Sequence, residues 1–282
     1  FVLPASADYP VTVVDDRGRE IAIANRPERI VTILPLYVEI LVDLGEAARI
    51  VGVVDSPNNP PQVADRPRVG SVFNPSVEQI VALQPDVVLG AFGPMRDSLE
   101  NLGVLVFTGG KAGGIIDGIT EIFRLIRNVG LIVDGNLQNA DRLIGSIAAE
   151  VITVEAAILD QPKPIVVVLY PLSEGPPFAA TRGTPENEIV VRAGGRNAFT
   201  DLEGYPQVSF EELLARDPDI ILTDPTQISL IMENESLKGL QVIRNGRVLG
   251  VNASAWISSR IAGTVRLVAE LLHPDAFETT SE

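Results

Sequence analysis

Apolar and polar positions change period along this chain, and each change marks an element. Residues 11–23 (VTVVDDRGREIAI) alternate on both sides of Asp16-Arg17-Gly18, which predicts a β-hairpin with a short turn. The apolar run Arg29–Leu34 suits a buried parallel strand. Tyr37–Leu44 switches to helical spacing and stops at Gly45, and Arg49–Val54 returns to strand. Four prolines and two asparagines put Pro57–Pro67 in a surface loop. Ser76 then caps a helix through Leu83, Gln84-Pro85 ends it, and Asp86–Ala91 is a strand. A short helix (95–103) and a strand (104–107) lead to a glycine-rich break at Gly109–Gly114 and a helix over 115–129. Asp134–Leu159 runs 26 residues without proline and reads as one helix, about 39 Å long. After Pro162–Pro164 the pattern restarts: strand 164–170, helix Pro185–Ala193, a helix-strand unit at 208–223, and a helix near 227–235. A turn at Asn245-Gly246, strand Arg247–Val251 and helix 260–272 complete it.

Strands alternating with helices of about ten residues predict an α/β fold with parallel sheets. The order implies a tail (1–9), a first lobe (10–130), a connecting helix (134–160), a second lobe (164–274) and a tail (275–282). One segment occurs twice. PSVEQIVALQPDVVLG (75–90) and VSFEELLARDPDIILT (208–223) align at an offset of 133, matching Ser76, Glu78, Ala82, Pro85, Asp86 and Leu89 to Ser209, Glu211, Ala215, Pro218, Asp219 and Leu222. Two related halves explain this more simply than coincidence.

Composition narrows the function. At 46% hydrophobic residues the chain can fill real cores. No cysteine and a single histidine, His273, exclude disulfides, thiolate metal sites and multi-histidine metal sites. A net charge of −15 disfavours nucleic acid and anionic lipid and suits a cationic partner surface. Arginine supplies 19 of the 22 basic residues, a bias of composition. No apolar run approaches the roughly 18–20 residues of a membrane helix. Ala5-Ser6-Ala7 has the A-x-A form of a signal-peptidase site, so the start reads as an export remnant.

Candidate chemistry is spread over strand-end loops, where open α/β sheets bind ligands. Thr32–Tyr37 turns from strand into helix, and Tyr37 either faces a ligand or packs inward. Asn58-Asn59 and Ala91-Phe92-Gly93-Pro94 are comparable turns. In the second half the equivalents are Tyr170–Arg182, Tyr205-Pro206, and Asn252–Arg260 with the only tryptophan, Trp256. Arg182 suits an anionic group, although a surface arginine is the commoner case. TGGKAGG (108–114) lacks the Ser or Thr of a phosphate-binding loop and reads as a turn. Glu78 and Glu211 each follow a capping serine. The simplest reading is an acid favouring the helix dipole. Two others stand beside it: a two-point handle for a partner's arginines, and a catalytic carboxylate pair.

In its motifs the chain resembles the class III substrate-binding proteins of ABC importers, which carry cobalamin, haem and ferric siderophores. DDRGREIAI, RPERIVTILP, the two repeated segments, AGGRNAF (193–199), VIRNGRV (242–248) and RLVAELLHPDAF (266–277) follow the family's order over nearly the whole chain. The resemblance implies two Rossmann-like α/β lobes bridged by one long helix, a ligand cleft between them, and little motion on binding. It implies that Glu78 and Glu211 dock onto arginines of the permease dimer, and that the protein is periplasmic or extracellular, free or lipid-anchored, with no catalysis and no intrinsic cofactor. Matching loops put Leu36, Tyr37, Asn59 and Phe92 on one side of the cleft and Phe178, Arg182, Tyr205 and Trp256 on the other. Where many members have a polar turn, this chain has Leu34-Pro35-Leu36-Tyr37, which favours a flat apolar macrocycle. A tyrosinate could ligate haem iron, with Tyr37 first and Tyr205 second, and Arg182 would then pair with propionates. GYPQVS and PPFAATRG look more like cobalamin-binding members. Haem is placed slightly ahead of cobalamin as the transported ligand. A siderophore receptor is the runner-up, and a carboxylate-pair hydrolase using Glu78 and Glu211 is the alternative of another class.

Overall fold

The structure is a computed structural model and describes residues 9–277. The expected export remnant at residues 5–7 lies outside the described residues. Two compact units divide the described residues: one of residues up to 116 and 120–146, the other of 117–119 and from 147 onward.

In the first unit, strands β1 (Val11–Val14) and β2 (Glu20–Ile23) form the expected antiparallel hairpin. Its turn is tied down by Arg96, a buried cation held by Asp15 and Asp16. The main sheet has six strands in the order β8 (Val106–Phe107), β7 (Val87–Leu89), β3 (Ile30–Thr32), β4 (Ile50–Asp55), β5 (Arg68–Ser71) and β6 (Asn74–Pro75). All pairs are parallel except β5 with β6, a short hairpin the sequence pattern did not reveal. Helices α1 (Pro35–Asp43), α2 (Val77–Ala82) and α3 (Gly93–Asn101) connect these strands.

The helices expected over 115–129 and 134–159 are both present, each starting four residues later than expected. Helix α4 (Ile119–Asp134) ends where Gly135 takes φ +69°, and α5 (Gln138–Ala157) starts after Asn136, whose Oδ1 accepts from the Gln138 N–H at 3.0 Å. Proline is not the only stop: a glycine in the left-handed region ends a helix as firmly. Helix α5 continues without a break across the division at 146/147 and is the long bridging helix. Its 20 residues span about 30 Å.

In the second unit, the sheet runs β10 (Phe178–Ala180), β9 (Ile165–Tyr170), β12 (Ile220–Thr223) and β13 (Val248–Gly250), with β11 (Arg196–Asn197) also on β9. Only β10 is antiparallel to its neighbour. Helices α6 (Pro185–Arg192), α7 (Phe210–Arg216), α8 (Ile228–Met232), α9 (Gln241–Arg244) and α10 (Ile261–Leu272) complete the unit.

The repeated segment is the same device built twice. Ser76 Oγ accepts from the Gln79 N–H at 3.2 Å, and Ser209 Oγ accepts from the Glu212 N–H at 3.1 Å. Each helix ends on a non-glycine residue in the left-handed region, Gln84 (φ 48°) and Asp217 (φ 38°), followed by proline. Each next aspartate reaches back to the start of the neighbouring strand. Asp86 Oδ2 accepts from the Glu28 and Arg29 N–H groups at 2.8 Å, and Asp219 Oδ2 accepts from the Ile165 N–H at 2.7 Å.

Candidate functional site

Strands β3, β4 and β7 of the first unit all lead at their carboxyl ends into the loops that carry the candidate residues. Pro35 begins α1 two residues earlier than the spacing suggested. That start places Leu36, Tyr37, Ile40 and Leu41 on the buried face of the helix. Tyr37 is 1% exposed, and its hydroxyl accepts from the Gly109 N–H at 2.8 Å. Burial holds its phenol protonated, well above the ordinary range. Gly90 (φ +82°) leaves room for the ring, since a Cβ there would lie 2.8 Å from it. Leu36 and Tyr37 therefore pack in the core, and the expectations that they line a ligand site and that Tyr37 ligates iron are corrected. Asn59 is held by its side-chain amide, which donates to the Val54 carbonyl at 2.7 Å, and its Oδ1 has no partner among the described residues. Phe92, at the N-cap of α3, remains exposed.

The second unit gathers three of its four candidates. Phe178 pairs with Tyr170 across β9 and β10. The segment after it runs beside residues 203–208: Phe178 bridges to Gln207, Arg182 to Glu203, and the Thr181 N–H donates to the Gly204 carbonyl at 3.0 Å. That alignment brings Tyr205 next to Tyr170, ring centroids 6.0 Å apart and edge to face. Arg182 is exposed and pairs with Glu203 at 3.3 Å. Trp256 is 2% exposed. The turn that carries it packs on α6 and α10, and Thr264 Oγ1 in α10 donates to the Ala255 carbonyl at 2.9 Å. Trp256 is a core residue, and the expectation that it faces a ligand is corrected. Its place on a loop misled the sequence reading, because the loop itself packs against α6 and α10.

Of two further residues of this site, Tyr170 stood only as the first residue of a candidate loop and Glu186 escaped the sequence reading. Tyr170 ends β9, and Glu186 lies in the first turn of α6 behind the Thr184 cap. Glu186 is 3% exposed. The Tyr205 hydroxyl donates to its Oε2 at 2.9 Å, and the Tyr170 hydroxyl donates to its Oε1. Burial first, and the carboxylate second, hold both phenols protonated, well above the ordinary range. In the sequence Thr184-Pro185-Glu186 has the form of an ordinary helix start, and that hid the carboxylate's second use.

Glu78 and Glu211 occupy matching first-turn positions in α2 and α7, both exposed. The cap of α7 is completed by Glu212, whose Oε2 accepts from the Ser209 N–H at 2.8 Å. Glu211 is not consumed by that cap.

Two α/β units, each a mostly parallel sheet with loops at the strand ends and joined through α5, define the class of two-lobed solute-binding proteins. The model of the periplasmic binding protein family matches residues 30–255, and the chain belongs to that family. A cobalamin-binding protein of Halobacterium salinarum is 28% identical over 88% of this chain and 70% of its own length. An ABC transporter substrate-binding lipoprotein of Bacillus subtilis, YvrC, is 25% identical over 96% of this chain and 88% of its own. A periplasmic haem-binding protein of Pseudomonas aeruginosa superposes with a TM-score of 0.75 at 25% identity, covering 88% of this chain and 93% of that one. The chain is thus an extracytoplasmic substrate-binding component of an ABC importer, in a family of binding proteins rather than enzymes. Among the described residues no helix is long and apolar enough to cross a membrane.

Proposed function

We propose that this protein captures a tetrapyrrole-type metal chelate, a corrinoid ahead of haem, and delivers it to an ABC permease by docking through Glu78 and Glu211. The order of ligands reverses the one read from the sequence. The preference for haem rests on Leu36 and Tyr37 lining the site, and both are core residues. The remaining exposed phenol, Tyr205, donates its proton to Glu186 and is a poor iron ligand in that state. Phe178 and Tyr205 supply aromatic surface for a flat ring. The observation that carries the corrinoid is the relative named for cobalamin, matched across most of both chains. A lipid anchor, as in the name of the Bacillus relative, suits the same role.

Docking through the glutamates is supported by their form. Each is an exposed carboxylate on the first turn of a short capped helix, once per unit, and arginines bind such groups bidentately. Exposed carboxylates are poor general acids, because burial is what keeps a carboxyl protonated near neutrality. The test is ATP hydrolysis by the permease reconstituted in proteoliposomes. Wild-type protein with ligand stimulates it. Glu78→Ala and Glu211→Ala each lower the stimulation severalfold, and the double variant abolishes it, with ligand affinity unchanged. Full stimulation by the double variant would overturn the docking role.

A further inference from the structure

We propose that Glu186 is a specificity-determining residue: it accepts the hydroxyl protons of Tyr170 and Tyr205, so that these two phenols offer a ligand only acceptor oxygens and favour a chelate rimmed with carboxamides over one rimmed with carboxylates. The inference rests on the proposed carrier role and deepens it by naming what the cargo's edge must look like.

The geometry is specific. A phenol has one O–H to give and otherwise only accepts. Tyr205 gives its proton to Glu186 Oε2 at 2.9 Å, and Tyr170 gives its own to Oε1. Both donors are committed, and what Tyr205 has left to show a ligand is an oxygen lone pair. Tyr205 is 47% exposed, so that oxygen's ring is within reach of a bound molecule, whereas Glu186 is 3% exposed and is not. Glu186 therefore acts through the tyrosine.

A corrinoid carries primary carboxamides around its ring, and their N–H groups donate. A haem carries propionates, which at neutral pH only accept. A propionate brought to Tyr205 meets a lone pair backed by the Glu186 carboxylate, and Asp224 adds a second negative charge on the Tyr170 side. Leaving two acceptors face to face in a closed site costs affinity, while an amide N–H finds its partner there. The cation of this face, Arg182, is already paired with Glu203.

The experiment compares wild type, Glu186→Gln and Tyr205→Phe in absorbance titrations with cyanocobalamin and with haemin at about pH 7. Glutamine keeps the shape of Glu186 but loses its charge and frees a phenol proton. In Glu186→Gln the cobalamin affinity falls about tenfold while the haemin affinity holds or rises, so the selectivity ratio drops. In the Tyr205→Phe background the same substitution has a much smaller effect, because the group it acts through is gone. Should Glu186→Gln fail to fold, Tyr205→Phe carries the test, with the same loss of cobalamin over haemin. Equal weakening of both ligands would show a merely structural carboxylate and overturn the inference. An unchanged ratio would do the same while leaving the carrier role intact. A wild-type chain that binds neither ligand would overturn both.

Discussion

His273 is the only histidine, and its placement ties stability to pH. It closes α10, is 6% exposed, and lies so near Gly194 that a Cβ there would come within 2.6 Å of its Nε2. Burial pushes its pKa below the ordinary 6.5, while the backbone at Ala193 and Gly194 pulls the other way. The unfolded chain therefore binds this proton more readily than the folded one. The contribution of the neutral ring is complete above the ordinary value and is lost as the pH falls through the depressed one. Urea denaturation at pH values from 7 to 5 should show wild type losing stability relative to His273→Gln on the acid side; parallel pH profiles would contradict this. At this scale the sequence was legible where a residue's role is local and misleading where it is not. Ser76 and Ser209 cap as their motifs require. Tyr37 and Trp256 looked like ligand residues because each follows a strand, and only the rotation of α1 and the fold of the 253–256 turn put them inside. Glu186 was invisible because its partners, Tyr170 and Tyr205, are 16 and 19 residues away.

Among the elements, the helix-strand module is the unit from which both halves are made. Its cohesion comes from one aspartate, Asp86 or Asp219, that fastens the module's strand to its neighbour through backbone N–H groups. Removing such an acceptor leaves those exposed donors to water at the start of the strand. Asp86→Ala and Asp219→Ala should each lower the unfolding free energy by about 0.5–1.5 kcal/mol. The two costs should be additive, since the sites share no partner. Denaturant titration of both single variants and the double measures this, and a change below the error of the method at either site would refute the shared device. The module was legible because cap, apolar spacing, proline stop and aspartate are all local signals. The β5–β6 hairpin, β10 and β11 were not. These strands have two to four residues, too few to show a period, and are fixed by pairing rather than by pattern. The break between α4 and α5 was expected, but it falls at Gly135 rather than after residue 129.

For the whole molecule, the two-unit architecture and the carrier role follow from the repeat and the family's motif order, and the family match agrees with both. The ligand was the least legible feature, because the inward or outward aim of strand-end side chains depends on packing several turns away. Relatives named for cobalamin and for haem share this fold, so the proposed selectivity rests on the polarity of a few groups such as Tyr205. The most direct measurement is a calorimetric titration of the wild-type chain with cyanocobalamin, haemin and a ferric hydroxamate in one buffer. The account predicts a saturable cobalamin isotherm, tighter than that for haemin, and no binding of the hydroxamate. Saturable hydroxamate binding with silence from both tetrapyrroles would contradict it.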